Sequence, residues 1–199
     1  MSTKNIAIDR RIKKSKQALK NAVLTLMKTS DFHSITITDI VQCAELNRGT
    51  FYKHYETKEE IFDEIIEDVI FDLTESYRDP YKDIQIFEIK KLSPTGIKVF
   101  DHVEKFKDFY KLILNSNRLA GFQHEICNVL KELALKDLIN FQNDSPINPE
   151  IQASYHAYAI FGMIVEWVNS EFKYSSCYMA NQLFELIMMK FSDRVFQVQ

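Results

Sequence analysis

The residues most able to do chemistry lie between Thr36 and Lys58. Arg48, Thr50, Tyr52, Lys53 and His54 crowd hydrogen-bond donors into one short stretch that holds little apolar material. A core helix hides such a face, whereas this one offers donors. An arginine bonds a guanine edge in the major groove, and hydroxyls bond phosphate oxygens. The expected chemistry is therefore recognition of a nucleic-acid duplex. Surface packing against the first helix is the competing reading for Tyr52 and His54, and simple solvation for Lys53.

Two short helices must position these donors. Thr36 followed by Asp39 is a capping-box-like start for a helix through Ala44. Asn47 caps a second helix over roughly 48–54. Glu45-Leu46-Asn47 is the turn between them, which suits a helix-turn-helix. A longer helix over about Asp9–Thr29 precedes the pair, with Ile12, Leu19, Ala22, Val23 and Leu26 as its apolar face. Thr57 with Glu60 forms a capping box that opens a helix through about Tyr77, with Ile61, Ile65, Val69 and Leu73 inward.

Charge follows the same division. The net charge is −3, but residues 1–58 carry +6 and residues 59–199 carry −9. A basic head on an acidic body fits a two-part nucleic-acid binder. A solvated basic first helix fits the charge equally, and Lys13, Lys14 and Lys16 are open to either reading.

Composition sets the fold class. The chain has 199 residues, 46% of them hydrophobic and 27% charged, a soluble globular profile. Its 4 glycines and 4 prolines fall far short of the number that turn-rich β folds use. All four prolines sit in loops or at helix starts, so the expected fold is all-α. Beyond Asp79-Pro80, helices are expected over about Ser93–Leu114, Phe122–Phe141, Asn148–Phe172 and Ser175–Val195, with Gly121 and the segment 143–146 between them.

Other classes fall away. The first twenty residues are polar and basic, so no secretory signal is expected. The longest apolar run, Ala157–Val168, is roughly 12 residues and is interrupted by Glu166, against the roughly 18–20 needed to cross a bilayer. Cys43, Cys127 and Cys177 form no disulfide framework, and a reducing cytoplasm is the expected location. The chain shows no Gly-rich phosphate loop, nucleophile elbow or His-Glu-x-x-His, so no enzyme is expected. His124 and Cys127 share a helix face, but no spacing gathers further ligands, and neither a metal nor a cofactor is expected.

The segments Thr36-Ile37-Thr38-Asp39-Ile40-Val41-Gln42-Cys43-Ala44, Asn47-Arg48-Gly49-Thr50-Phe51-Tyr52-Lys53-His54-Tyr55 and Lys58-Glu59-Glu60-Ile61-Phe62 together resemble the TetR/AcrR family of transcriptional regulators. The Gly-Thr-Phe-Tyr core with the following Lys-Glu is specific to that family, and the resemblance covers about the first third of the chain. Glu166-Trp167, Phe172-Lys173-Tyr174-Ser175 and Met179-Ala180 further resemble the tail of a regulator subgroup.

The resemblance implies a head over residues 1–57 that binds double-stranded DNA and a regulatory and dimerisation body over 58–199. It places Thr36, Thr38, Thr50, Tyr52, His54 and Lys58 at the DNA backbone, Arg48 at base edges, and Lys53 near either. Asn47 and Gly49 complete the DNA-binding set, and Ile40, Leu46, Phe51 and Tyr55 are the head core. Glu45 stands where the family has glycine in the turn, so a differently shaped turn is expected. That departure sustains an alternative function, a helical co-regulator that binds another protein and has lost or weakened DNA binding.

The body's last two helices are apolar nearly all round, so both sides must be covered. A homodimer follows, with Ile160, Ile164, Trp167, Met179, Leu183, Leu186 and Ile187 as candidate interface residues, and twofold symmetry calls for a palindromic operator. Aromatic residues are 13% of the chain. Phe100, Phe106, Phe109, Tyr110, Phe122, Tyr158, Phe161, Glu166 and Trp167 are candidates to line a pocket for a hydrophobic or aromatic effector, with plain core as the competing reading. The function implied is a regulator, of which a repressor released by its effector is the commoner kind.

Overall fold

The computed structural model describes residues 3–114, 119–137 and 146–189. The expected segment 143–145 and the expected helix ends at Phe141 and Val195 lie outside these residues. All described regular structure is helical: α1 (Thr3–Leu26), α2 (Ile37–Cys43), α3 (Arg48–Tyr52), α4 (Lys58–Arg78), α5 (Val99–Lys105), α6 (Lys107–Leu114), α7 (Leu119–Asp137), α8 (Pro149–Asn169) and α9 (Ser176–Met188). Short 3-10 turns at Asp79–Tyr81, Ile89–Lys91 and Pro94–Gly96 bridge α4 to α5.

The N-terminal unit is built on α1 and α4. Leu19, Ala22 and Val23 of α1 and Ile61, Phe62 and Ile65 of α4 are buried on facing sides, and they enclose Ile40, Val41, Phe51 and Tyr55. Ile12 departs from its expected inward position and is 41% exposed, in a stretch, residues 10–14, that is exposed throughout. The two helices are parallel and laced by ions. Lys16 Nζ lies 2.7 Å from Glu64, and Lys20 Nζ lies 2.8 Å from Glu64 and 2.5 Å from Asp68. Burial opposes the charge on Glu64, yet the hydrogen bonds from Lys16 and Lys20 outweigh it and hold the carboxyl at about 2. Burial likewise opposes the Lys20 charge, and Asp68 and Glu64 still raise its pKa.

Beyond this unit α4 continues into the body, where it packs on α5 and α7. The α7 and α8 helices pack along each other, and α9 closes over α5 and the Pro94–Gly96 turn. Gly121 lies inside α7 and not between helices. The single helix expected over Ser93–Leu114 is three pieces, with a 3-10 turn first and a break at Phe106. No Gly or Pro marks that break.

A buried polar chain crosses it. His102 is 1% exposed, with Nδ1 2.8 Å from Asp72 Oδ1 of α4 and Nε2 2.9 Å from the Tyr110 hydroxyl of α6. Lys105 also pairs with Asp72. Burial lowers the His102 pKa and outweighs the raising effect of Asp72. The unfolded chain, with a histidine pKa of about 6.5, therefore takes up the proton first. The resulting stability is present above about pH 6.5 and is lost as pH falls toward the folded pKa. Melting temperature is expected to fall more between pH 7.5 and 5.5 in the native chain than in His102→Gln. His156, whose pKa burial also lowers, acts alike in both proteins. Equal falls would assign the acid sensitivity elsewhere.

Candidate nucleic-acid interface

The interface is assembled from cap to turn to helix. At α2, Thr36 and Asp39 form a complete capping box: Thr36 N–H donates to Asp39 at 2.9 Å and Asp39 N–H donates to Thr36 Oγ1 at 3.2 Å. The Thr36 hydroxyl also donates to Asp39 at 2.6 Å, so this side chain is already engaged within the protein, while Thr38 is exposed beside it. Thr57 caps α4 by accepting the Glu60 N–H, but the Glu60 carboxylate reaches back one residue further than a capping box does, to the Glu56 N–H at 2.9 Å.

The turn corrects one expectation. Glu45 takes the left-handed conformation itself, with φ 54°, so the turn keeps the shape a glycine would give. Leu46 N–H donates to Val41 O at 2.8 Å and Glu45 N–H to Gln42 O at 3.1 Å, the paired bonds of a Schellman ending. These bonds offset the roughly 1–2 kcal/mol that a side chain costs in this region. The end of α8 repeats the device with Glu171 at φ 56°.

The turn then delivers α3. Asn47 Oδ1 accepts the Thr50 N–H at 2.8 Å and the Thr50 hydroxyl at 3.1 Å, which fixes the helix start. Gly49 sits tight against this cap, since a Cβ there would lie 3.3 Å from Asn47 Oδ1. Phe51 is fully buried and anchors α3 to the core. The opposite face presents Arg48, Tyr52 and Lys53 to solvent, with Tyr52 55% exposed and His54 half-buried at the margin. Among the described residues neither Arg48 nor Lys53 meets a carboxylate.

Lys58 is placed otherwise than expected. Its Nζ donates to the carbonyl oxygens of Phe32, His33 and Ile35 at 2.7, 2.9 and 2.7 Å and lies 4.9 Å from the centre of the Phe32 ring. All three ammonium protons are thus engaged in fastening the α1–α2 loop to α4. Sequence reasoning missed this bracket because its acceptors are backbone atoms more than twenty residues away.

The body corrects two further sets. The aromatic residues expected to wall a pocket pack on one another. Phe100 lies 5.7 Å from Trp167, Phe109 lies 5.1 Å from Phe122, and Tyr110 lies 5.8 Å from Phe122. Phe161 is buried, and the Phe106 ring lies tilted 5.0 Å from His102. Glu166 is exposed and Tyr158 is 52% exposed, so neither faces that interior. A shallow depression of about 380 Å³ lies elsewhere, lined by Lys131, Glu150, Ile151, Ser154, Tyr155 and Tyr158.

Of the candidate interface residues, Ile160, Ile164, Trp167, Met179 and Leu183 are buried within one chain, while Leu186 and Ile187 are exposed. The exposed stripe of α8 is instead Ile151, Tyr155, Tyr158 and Gly162. A helix apolar all round does not reveal from its pattern which side meets its own body. No helix among the described residues is long and apolar enough to cross a membrane.

Comparison with known proteins agrees with this architecture. Residues 14–65 match the family of bacterial regulatory proteins, tetR family, and residues 90–189 match the transcriptional regulator C-terminal region of such proteins. The uncharacterized HTH-type transcriptional regulator YxbF of Bacillus subtilis (strain 168) is 25% identical over 172 residues, 86% of this chain and 44% of YxbF. The dhaKLM operon transcriptional activator DhaS of Lactococcus lactis is 32% identical over 67 residues, 34% of this chain and 36% of DhaS. The matches thus span less than half the length of these curated relatives.

Among solved structures, a dihydroxyacetone kinase operon activator DhaS superposes with a TM-score of 0.62 at 20% identity, covering 87% of this chain and 94% of that one. A TetR transcriptional regulator from Streptococcus agalactiae 2603V superposes with a TM-score of 0.56 at 22% identity, covering 92% and 98%. These likenesses establish the fold. With family models matching both its head and its body, the chain belongs to the TetR family of bacterial transcriptional regulators.

Proposed function

We propose that this chain is a sequence-specific DNA-binding regulator that acts as a homodimer on a palindromic operator and represses until a small-molecule effector releases it. The observation that carries the reading is α3. It is pinned by Asn47 and Phe51, and it turns Arg48, Tyr52 and Lys53 outward, with neither Arg48 nor Lys53 meeting a carboxylate among the described residues. Thr50 within it, and Thr38 and His54 beside it, are the backbone contacts.

The head is residues 1–57 and the body 58–199, but the Lys16, Lys20 and Lys58 contacts make the first half of α4 travel with the head. The dimer face is the free stripe of α8 with Leu186 and Ile187 of α9. Effector release requires the rings of Phe100, Phe109, Tyr110, Phe122 and Trp167 to part, since in this packing they touch one another.

Selection from a randomised duplex library tests the reading, with enrichment of a palindrome as the expected result. Arg48→Ala should then relax preference at one base pair per half-site by about 1–3 kcal/mol. Equal loss on operator and random duplex would count against base readout by Arg48. A promoter fusion that rises on deletion of the gene supports repression, and a fall would make the protein an activator, as DhaS is by name.

A further inference from the structure

The loop that leads into α2 is anchored by two buried residues, Phe32 and Ile35, which are 5% and 3% exposed. Phe32 lies against α4, with its ring 5.2 Å from that of Phe62. The loop is also wound tightly on itself. The Asp31 carboxylate accepts the His33 N–H at 2.8 Å, and the Asp31 carbonyl accepts the Ser34 hydroxyl at 2.7 Å. The carbonyls of Phe32, His33 and Ile35 converge on one point, and Lys58 Nζ occupies it. An ammonium has three donors and no acceptor, so three carbonyl oxygens match it fully. The Phe32 ring stands over the same nitrogen, at a distance where a ring face attracts a cation.

The place of this cage in the chain ties it to recognition. Ile35 immediately precedes Thr36, the cap that starts α2. The α2 helix packs on α1 and α3, and the cage adds a tie to Lys58, the first residue of α4. The α3 helix reaches the same residue along the chain, across residues 53–57. Both helices of the helix-turn-helix therefore hang from Lys58, α3 by covalent bonds and α2 by three charge-assisted hydrogen bonds. Apolar packing is non-directional, whereas charge-assisted hydrogen bonds fix a geometry.

We propose that Lys58 is a positioning residue for DNA recognition: its ammonium, caged by the carbonyls of Phe32, His33 and Ile35, sets the angle at which α2 and α3 meet the duplex, and it bonds no phosphate. The inference rests on the DNA-binding reading above. A phosphate accepts either basic side chain. The cage needs a compact ammonium, because a guanidinium is planar and spreads its donors in a fixed fork. The two roles therefore differ in what arginine does at this position.

The test uses the full chain with Lys58→Arg, which keeps the charge, and Lys58→Met, which keeps an unbranched stem. Circular dichroism sets a temperature at which both variants are fully folded, and operator affinity is measured there against salt. Affinity should fall at least about tenfold in both variants, the equivalent of one hydrogen bond to a charged group. Preference for operator over random duplex should fall with it. Hydrogen exchange of the free protein, read by mass spectrometry, should quicken over residues 37–43 in both variants and stay as it was over 19–26.

Native affinity in Lys58→Arg, with Lys58→Met alone weakened and its salt slope smaller by roughly 0.9 for each phosphate lost, would overturn the inference in favour of a phosphate contact. Native affinity in both variants would reduce the cage to a stabilising contact and overturn it equally. Absence of operator binding by the native chain would instead refute the DNA-binding reading itself. Exchange over 37–43 would then still decide whether Lys58 holds α2, with unchanged exchange counting against it.

Discussion

Phe51→Ala is expected to abolish operator binding and to lower the stability of the head by about 3–5 kcal/mol, the usual cost of emptying a buried phenylalanine site. Phe51 is fully buried, with its ring 5.3 Å from Tyr52 and 6.1 Å from Tyr55. It is the only buried residue of α3, which spans 5 residues. A helix that short does not persist on its own propensity and is held by what it packs against. A loss of this size is a large share of the 5–15 kcal/mol that stabilises a typical domain. Thermal unfolding and gel-shift titration on the selected operator check the two parts separately. Arg48→Ala should leave the melting temperature unchanged, which separates loss of readout from loss of fold. Operator binding by Phe51→Ala at native affinity would show that α3 is not the reader.

Gly162→Glu is expected to give a stable monomer whose operator affinity is about 10²–10⁴-fold weaker, the range gained when two linked sites engage together. Gly162 lies on the exposed side of α8, and a Cβ built there meets nothing within 4 Å in its own chain. The substitution therefore costs the isolated subunit little, and glycine in a helix interior is in any case unfavourable by about 1 kcal/mol. In the proposed dimer the same position falls within the covered apolar stripe, where a buried unpaired carboxylate is costly. Sedimentation velocity reads the assembly and circular dichroism the fold. A dimer of native affinity would place the interface on another face.

Some of this architecture was legible because it depends on neighbours in sequence. The Thr36–Asp39 box, the Asn47 cap and the periodic face of α4 are local, and α2, α3 and α4 stand close to where their patterns put them, whereas α1 runs over Thr3–Leu26 and not Asp9–Thr29. The Phe106 break was not legible, because it carries no breaker residue and lies beside the His102 and Tyr110 contacts, which join α4 to α6. Glu45 was misread for a related reason. Local sterics disfavour its left-handed conformation, but the two hydrogen bonds closing α2 favour it, and the second outweighs the first.

The amino-acid sequence by itself determined the all-helical class, the helix-turn-helix with its outward donors, and the split between a basic head and an acidic body. These follow from periodicity, caps and composition, which are properties of short windows. Only the tertiary structure decided that Lys58 fastens a loop, that the aromatic residues of the body fill its core, and which side of α8 is left free. Each of these depends on which distant group a side chain meets. A lysine is equally suited to a phosphate or to three carbonyl oxygens, and an aromatic ring to a cavity wall or to another ring, until the fold brings one partner within reach.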